Sequence, residues 1–516
     1  MHHILCGLAA NPALPSHLVD RLIAVADGDL APALAAREDL SRAQARALAA
    51  RGEECAVQLA HAGRLAVEDI DSVAHPDVAL ALLDNGVGAP EWARRLVVEP
   101  DAERRERLAA CPDLPSDVTE RLAADPVVTV VAELALWSRA SDVVAELVRH
   151  PHTAVRRAAA ANEATPPDLL AALLTDGGVP PAARCEVCER EQIPFVHDRH
   201  CPRLDCTLPG GARCDGTHES AAHAVHAAAL GNPATPAGAV APFADHDSMV
   251  LRWTVARRPG LPSEVYERLA ADPVPGVRAD LAENPAVGEQ VLRALGADQD
   301  SDVRRRVARN PSVPLDVLSD LAAAMRKGGA PLPRIDAATP TETERLARSP
   351  LPAVRALVAR RRDLPAALRD ALAADSDAGV VAAVAPHPGL RPAQLRAILD
   401  RHGVRVAAQV AANPDITSEL LDDLAGRRPP ARKALRAIAG HPRATPAALL
   451  VCLSDERARR TAAGHPALPP GAISHLLTDD DWQVVEAAAA NPSLPGDVMA
   501  AMAKAASMPD EDIRRR

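Results

Sequence analysis

One five-residue phrase recurs along this chain and constrains its fold more than any other feature of the sequence. The clearest copies begin with Asn-Pro and end with a second Pro, as in Asn11-Pro-Ala-Leu-Pro15. The first residue of each copy, clear or degenerate, is taken as an anchor, and the 18 anchors are residues 11, 37, 61, 85, 111, 137, 162, 232, 258, 284, 310, 336, 361, 387, 413, 441, 465 and 491. Apart from one step of 70 residues after Asn162, every step is 24 to 28 residues. This regularity predicts a stack of small repeated units.

Each repeat contains the pattern of two short helices. The proline at the fifth position, such as Pro15, suits the first turn of a helix because its missing N–H needs no partner there. Apolar residues four apart follow, as in Leu18 and Leu22, which is the spacing of one buried helix face. An acidic turn then leads into a second segment with the same spacing, as in Val303 and Val307. The next Asn-Pro ends this segment, because a residue before proline disfavours the α conformation.

The complete repeat, Asn-Pro-x-Leu-Pro, an apolar pair, an acidic turn, Val-Arg and the next Asn-Pro, resembles the leucine-rich repeat variant family over about residues 1–176 and 217–516. The resemblance implies an all-α fold, a right-handed α-solenoid or superhelix of about 18 two-helix repeats, with a second segment that is partly 3-10 helix. We expect an N-terminal solenoid over 1–176, a cysteine-rich insertion over 177–218 and a C-terminal solenoid over 219–516.

Two stretches depart from the repeat. Between Arg326 and Arg334, glycines and prolines replace the acidic turn and second segment, which predicts a hinge near 326–335. Near the beginning, Ile4, Leu5 and Leu8 match a second segment that no first helix precedes. Since solenoid ends need polar caps, we expect either that another molecule covers this apolar end or that the natural chain begins upstream.

Five of the nine cysteines lie within 30 residues, inside the insertion. Cys185, Cys188, Cys201 and Cys206 form the pattern C-x2-C-x12-C-x4-C, and Cys214 follows. Paired thiolates on tight turns suit a tetrahedral metal site, of which zinc is the commonest occupant. A long loop rich in Pro and Gly also needs such a cross-link to fold. We predict a structural zinc site held by the first four cysteines, with Cys214 as the alternate ligand.

Other interpretations of these cysteines stay open. Thiolates also hold a 4Fe-4S cluster. The leucine-rich repeat variant family is associated with a cysteine-rich segment carrying such a cluster, but that segment precedes the repeats, so no ligand carries over by position. A redox-active pair, Cys185 and Cys188, and a group of inert thiols are the remaining alternatives. The spare ligands within the insertion are His197, His200 and His218. The remaining thiols, expected to be packing or surface residues, are Cys6, Cys55, Cys111 and Cys452.

An arginine recurs six residues before many anchors, and stacked repeats would align these arginines into one stripe. The set is Arg105, Arg156, Arg252, Arg278, Arg304, Arg355 and Arg459. One interpretation is a surface that binds anions or nucleic acid. The other is that each arginine pairs with an acidic residue of a neighbouring turn, such as Asp272 or Asp298. Acidic residues recur at nearly the same rate, which favours pairing.

Charge and motifs narrow the function. A net charge of -11 argues against a large nucleic-acid footprint, and the sequence contains neither a signal peptide nor a run of 18 uncharged apolar residues, so we expect a cytoplasmic protein with no membrane partner. It contains no nucleophile–base pair, phosphate loop or paired-carboxylate motif at recognisable spacing. We predict a non-catalytic scaffold for protein–protein interaction, with the partner and oligomeric state open. The alternatives are an iron–sulfur redox or metal-sensing repeat protein and a helical-repeat enzyme of the DNA glycosylase or bilin lyase type.

Overall fold

The computed structural model describes residues 2–175, 179–180, 182–185, 219–322 and 332–506. Within these ranges the chain is all-helical, with 35 α-helices, three short 3-10 helices and no β-strand. The predicted all-α class is therefore confirmed. Residues 323–331, which contain most of the predicted hinge, lie outside the described part of the chain, so the hinge stays a prediction.

The α-helices, in chain order, are α1 (His2–Ala10), α2 (Ser16–Ala24), α3 (Leu30–Ala35), α4 (Arg42–Ala49), α5 (Glu53–His61), α6 (Pro76–Asp84), α7 (Pro90–Leu96), α8 (Ala102–Ala109), α9 (Ser116–Ala123), α10 (Val128–Trp137), α11 (Ser141–Leu147), α12 (Thr153–Ala161), α13 (Pro167–Leu174), α14 (Glu219–Gly231), α15 (Ala237–Val240), α16 (Met249–Arg257), α17 (Ser263–Ala270), α18 (Pro275–Glu283), α19 (Glu289–Gly296), α20 (Ser301–Val307), α21 (Leu315–Ala322), α22 (Pro333–Asp336), α23 (Pro340–Ala347), α24 (Pro352–Val358), α25 (Ala366–Ala373), α26 (Ala378–Val384), α27 (Pro392–His402), α28 (Ala407–Ala411), α29 (Ser418–Ala425), α30 (Arg432–Ala439), α31 (Pro446–Cys452), α32 (Glu456–Ala463), α33 (Pro470–Leu476), α34 (Trp482–Ala489) and α35 (Gly496–Ala506). The 3-10 helices span Val67–Asp69, Ala241–Asp245 and Gly403–Arg405.

These helices follow the anchors in pairs. In the repeat anchored at Asn284, α19 is the first helix and α20 is the second. The second segments are α-helices, so the 3-10 character that the family resemblance implies for them is wrong in the described repeats. The reason is visible in α20, where Val303 and Val307 are fully buried four residues apart, a spacing that fits 3.6 residues per turn. The 3-10 helices lie instead in first segments or in connections.

The helix starts differ from the prediction by one residue. Pro15 has extended backbone angles (φ -61°, ψ 141°) and lies just before α2 instead of in its first turn. Its fixed φ still suits this position, and its missing N–H is not required. The acidic turns act as predicted: the carboxylate of Asp300 accepts a hydrogen bond from the N–H of Asp302 at the start of α20.

The chain divides into two compact units. We call the one made of Ala66–Leu321 and Leu332–Arg334 the central unit. The other, the terminal unit, comprises Met1–Leu65, Ala322–Pro331 and Ile335–Arg516, and so combines both ends of the chain. This division follows contacts between elements, whereas the predicted segments 1–176, 177–218 and 219–516 follow the sequence pattern, and those segment boundaries stay a prediction.

Second helices pack on second helices within each unit. In the central unit the series runs α6, α8, α10, α12, α14, α16, α18 and α20. In the terminal unit it runs α24, α26, α28, α30, α32 and α34 and then continues through α1, α3 and α5. The last complete repeat is thus followed in space by the first residues of the chain.

The apolar N-terminal segment, for which we expected a covering molecule or an upstream start, forms α1 and packs on α34. Leu8 is fully buried, and the surface that covers this helix is the last repeats of the same chain. Gly7 permits the approach, because a Cβ atom there would lie 2.3 Å from the carbonyl oxygen of Glu486 and 2.8 Å from the Cβ of Ala489. The apolar residues of α1 are therefore covered by α34 of the same chain.

The anchor side chains bond each repeat to the one before it. The Asn310 amide donates to the carbonyls of Ala282 and Asn284, both at 2.8 Å, while its Oδ1 accepts from the N–H of Ser312 at 2.8 Å. All the hydrogen-bonding groups of this buried amide except one lone pair are thereby used. We call this series of bonds the anchor ladder. Its asparagines are Asn11, Asn162, Asn232, Asn284, Asn310, Asn413 and Asn491.

Other residue types make the same connection. His441 and His465 each place Nε2 at 3.0 Å from the carbonyl of the preceding anchor. The guanidinium of Arg37 donates to the carbonyls of Ala9 and Asn11 at 2.6 and 2.9 Å. A donor that reaches the preceding anchor loop is thus the common property of these residues, which explains why the phrase tolerates degenerate copies.

The anchor ladder crosses the insertion and also joins the first repeat to the last. Asn232 bonds to the carbonyls of Ala160 and Asn162 at 2.9 and 2.8 Å, although 70 residues separate the two anchors. The side chain of Asn11 bonds in the same way to Ala489 and Asn491, at 2.9 and 2.7 Å. Repeat stacking therefore continues across the insertion in the central unit and across the chain ends in the terminal unit.

Replacing an anchor should loosen the terminal unit. Asn413 is fully buried and donates to two carbonyls at 2.6 Å. Asn413→Ala leaves both carbonyls without a donor, so we expect a loss of about 3 kcal/mol of unfolding free energy. Hydrogen exchange should show the loosening in neighbouring repeats first. Glu419→Ala, an exposed change in the same repeat, should have an effect below about 0.5 kcal/mol, and equal effects of the two variants would contradict the role of the anchor.

The anchor His387 predicts a pH dependence. Its ring is 1% exposed, its Nε2 makes no well-formed hydrogen bond within the described residues, and burial, followed by the charge of Arg362, lowers its pKa to about 4. Since an unfolded histidine titrates near pH 6.5, the unfolded state alone binds this proton between pH 6.5 and 4. As the pH is lowered from 6.5 to 4, the unfolding free energy should therefore decrease, by up to about 3 kcal/mol from this group. His387→Asn should remove that contribution; parallel urea-unfolding profiles of the variant and the natural chain between pH 7 and 4 would show the assignment to be wrong.

Candidate functional site

The predicted metal ligands fall mostly outside the described residues. Cys185 lies within them and is 1% exposed. The others are Cys188, Cys201, Cys206 and Cys214, together with the spare ligands His197, His200 and His218. Among the residues that the structure describes, no group of three or more His, Cys, Asp or Glu side chains is arranged to hold a metal. The five-cysteine site stays a prediction.

The backbone before Cys185 is fixed to the first turn of α12. Arg184 and His152 form a parallel β-bridge, in which the N–H of Thr153 donates to the carbonyl of Arg184 at 3.1 Å. The guanidinium of Arg156, in the same helix, donates to the carbonyl of Pro180 at 2.6 Å. Pro180, Ala183 and Arg184, at the base of the insertion, are therefore held by the repeat from which the insertion leaves.

The cysteines of the repeats are packing residues. Burial raises the pKa of Cys55 to about 11, of Cys111 to about 12 and of Cys452 to about 11. Cys6 is partly buried, and its pKa is also raised, first by burial and then by the charge of Glu486. Since the thiolate is the nucleophilic and metal-binding form, these thiols are suited to packing and not to chemistry.

Five of the seven arginines in the stripe pair with carboxylates, as the second interpretation predicted. Arg105, Arg252, Arg278 and Arg355 each place Nε at 2.7 Å from a carboxylate 20 residues further along. Arg459 contacts its carboxylate, also 20 residues further along, through Nη2 instead. The partners are Asp125, Asp272, Asp298, Asp375 and Asp479. The hydrogen bond from Arg278 holds the pKa of Asp298 below its usual range. The five arginines therefore connect successive repeats.

Backbone carbonyls occupy more of these donors. Arg105 donates to the carbonyl of Glu99 and Arg278 to that of Asp272, both at 2.6 Å and both six residues back in the chain. Arg304 also donates to a carbonyl six residues back, that of Asp298. Because several donors of each guanidinium are already used, this stripe is a poor candidate for binding nucleic acid or free anions.

A groove in the central unit crosses three second helices. Its volume is about 290 Å³, and α10, α12 and α14 form its walls. We call it the α10–α14 groove; its lining residues are Ala132, Glu133, Leu136, Ala154, Arg157, Ala158, Ala161 and Ala228. Trp137, which follows Leu136 in α10, is 57% exposed, and its indole N–H donates to Glu133 at 3.0 Å. An apolar floor beside an exposed tryptophan and an arginine is typical of a protein-binding surface.

A second cavity, of about 520 Å³, lies further along the same series of helices. We call it the Trp253 cavity; its lining residues are Gly231, Pro233, Val250, Trp253, Thr254, Arg257, Arg258 and Pro259. The indole packs against Gly276, where a Cβ atom would lie 3.0 Å from the ring. The indole N–H also donates to Asp280. The tryptophan wall of the cavity is therefore fixed in place.

Asp280 is the centre of a charged network beside this cavity. Its side chain is 3% exposed and accepts from Arg257 Nε at 2.7 Å and from Arg306 Nη1 at 2.6 Å, in addition to Trp253. A buried carboxylate needs such partners to remain charged. Asp280 is therefore fully engaged by its own neighbours.

Sequence reasoning did not single out the Trp253 cavity. Its residues come from two anchor phrases and the helix between them, so they form no compact motif. A signal was nevertheless present, because the chain has only four tryptophans and three of them, Trp137, Trp253 and Trp482, belong to second helices. Exposure could not be read from those positions without the packing.

No helix in the described ranges combines the length and the apolar character needed to cross a membrane. Comparisons with protein-family models and with curated proteins find no match to this chain.

Proposed function

We propose that this chain is a non-catalytic scaffold for protein–protein interaction, built as a right-handed α-solenoid that resembles the leucine-rich repeat variant family. The α10–α14 groove is the observation that carries the proposal. Stacked repeats present long continuous surfaces to a partner. Tryptophan and arginine are among the residue types most enriched at the energetic centres of interfaces. Arg157 lines this groove, and the exposed Trp137 donates a hydrogen bond to the lining residue Glu133.

The strongest polar interactions support a scaffold over an enzyme. The paired arginines and the anchor asparagines are used to join repeats, and burial raises the pKa of thiols such as Cys111. An enzyme needs groups whose altered pKa serves a reacting centre, whereas these groups serve stacking. A cytoplasmic location belongs to the same proposal, because a thiolate metal site needs reduced cysteines.

Site-specific photo-crosslinking tests the scaffold proposal. A photoreactive benzoylphenylalanine at Ala161, which is exposed in the groove, should give discrete crosslinked proteins in the native host. The same probe at Glu120, exposed on the first helix α9, should give none of them. Trp137→Ala should abolish the crosslinks, while Trp482→Ala, a similarly exposed tryptophan of the terminal unit, should leave them unchanged. Identical crosslinks from both probe positions, or no effect of Trp137→Ala, would refute the groove as the binding surface.

We also propose a structural metal centre in the insertion, with zinc bound by Cys185, Cys188, Cys201 and Cys206 and with Cys214 as the alternate. Its support is the buried position of Cys185 at a base that α12 holds by backbone hydrogen bonds. Such a base limits where the insertion leaves the repeat, and a metal would supply the folding free energy of the rest. A 4Fe-4S cluster on the same thiolates is the alternative.

Metal analysis tests this centre. Protein purified without oxygen should contain about one zinc ion per chain, and Cys185→Ser should lower that content severalfold by removing a ligand. Cys111→Ser, at a buried thiol of a repeat, should leave the metal content unchanged. Iron with sulfide and a brown absorption near 400 nm would identify the bound group as the 4Fe-4S cluster and not zinc. Metal-free protein with a protease-resistant insertion would refute both.

A further inference from the structure

Three anchors are arginines, and they differ in how their charge is compensated. Arg37 donates from Nε and Nη2 to Asp39, two residues on, at 2.8 and 2.6 Å. Arg361 donates in the same way to Asp363, at 2.9 and 2.7 Å. Each of these arginines also bonds to carbonyls of the preceding anchor loop. In both of these repeats, the aspartate two residues after the anchor arginine therefore balances its charge.

The third arginine, Arg258, lacks that aspartate. The residue two positions on is Gly260, which has a φ of +75° and open space where a side chain would project. The guanidinium donates from Nη1 to the carbonyl of Asn232, and from Nη2 to the carbonyls of Thr235 at 2.6 Å and Pro233 at 3.3 Å. Among the described residues no carboxylate pairs with it, and its Nε is buried without a hydrogen-bond partner.

The charge of Arg258 is desolvated as well as unbalanced. The residue is 7% exposed, and burial lowers the pKa of its guanidinium. A buried charge without an opposite charge is unfavourable. An anion bound here should therefore stabilise the protein more than an anion bound at an exposed arginine. The nearby carboxylate of Asp280 is engaged by Trp253, Arg257 and Arg306.

The Trp253 cavity lies directly beside this arginine. Arg258 and Arg257 both line it, and Trp253, Val250 and Pro233 give it an apolar wall. Its volume of about 520 Å³ falls within the range of small-ligand pockets, which typically combine apolar walls with a few polar groups. An arginine beside apolar walls favours a ligand that has an acidic group on an apolar body.

We propose that the Trp253 cavity binds a carboxylate carried on an apolar body, and that this carboxylate compensates the charge of Arg258 as Asp39 compensates the charge of Arg37. An anion close to a buried guanidinium offsets the free-energy cost of its lost hydration, and charge-assisted interactions are among the strong polar interactions of proteins. The ligand is either an acidic side chain within an apolar peptide or a free organic acid. This inference does not depend on the scaffold proposal, because the cavity is separate from the α10–α14 groove.

Fluorine NMR of the full chain labelled with 5-fluorotryptophan tests the proposal. The four tryptophans give four signals, and Trp253→Phe assigns the one in the cavity. Titration with phenylacetate should shift that signal, and its neutral analogue phenylacetamide should bind at least tenfold more weakly. The peptide acetyl-Leu-Glu-Leu-amide and its glutamine counterpart provide the second comparison. The acid that binds more tightly identifies the source of the carboxylate.

A matched pair of variants at position 260 tests the role of Arg258. Gly260→Asp supplies an internal carboxylate, and Asp113, at the same place in its own phrase, shows that aspartate is accommodated at a φ of 54°. Gly260→Asn has the same shape without the charge. Both acids should bind Gly260→Asn as they bind the natural chain and should bind Gly260→Asp at least tenfold more weakly. Binding of neither acid to the natural chain, equal binding of acids and amides, or equal binding by the two variants would overturn the proposal.

Discussion

The rest of the structure depends on one interaction, the hydrogen bonds from an anchor side chain to the carbonyls of the preceding anchor loop. The turn at each anchor leaves carbonyl lone pairs without a donor between two helices, and buried acceptors of this kind gain from a further hydrogen bond. Asn310 supplies two donors to such carbonyls and uses its own oxygen to hold the turn that follows. Each repeat is thus completed by its successor, so stability accumulates between neighbours.

Because this hydrogen bond joins anchors that are neighbours in space, the two anchors need not be neighbours in the sequence. Asn232 reaches Asn162 across the long insertion, and Asn11 reaches Asn491 from the other end of the chain. The anchors on either side of the insertion therefore stay joined despite the 70 residues between them. In the terminal unit, the same bond lets α1 continue the series that ends at α34.

The buried arginines differ in whether a carboxylate balances their charge. Arg278 is balanced by Asp298, and Arg37 by Asp39, so neither has unpaired charge to offer a ligand. Arg258 departs from this pattern because Gly260 supplies no carboxylate. A single substitution within a repeated phrase can thus change a structural arginine into a candidate binding group, which is how repeat proteins acquire sites without a change of fold.

The sequence by itself determined the helices and their order. The i,i+4 pairs, the prolines and the acidic turns act through local backbone geometry, and they predict two helices per repeat, as Leu18, Leu22, Val303 and Val307 illustrate. The sequence also predicted the pairing of the arginine stripe, since its acidic partners recur at the same period. Neither the covering of Leu8 by α34 nor the cavity beside Trp253 could be predicted, because both depend on residues far apart in the chain. Tertiary structure decided which surfaces meet, and hence which charge at an anchor is left uncompensated.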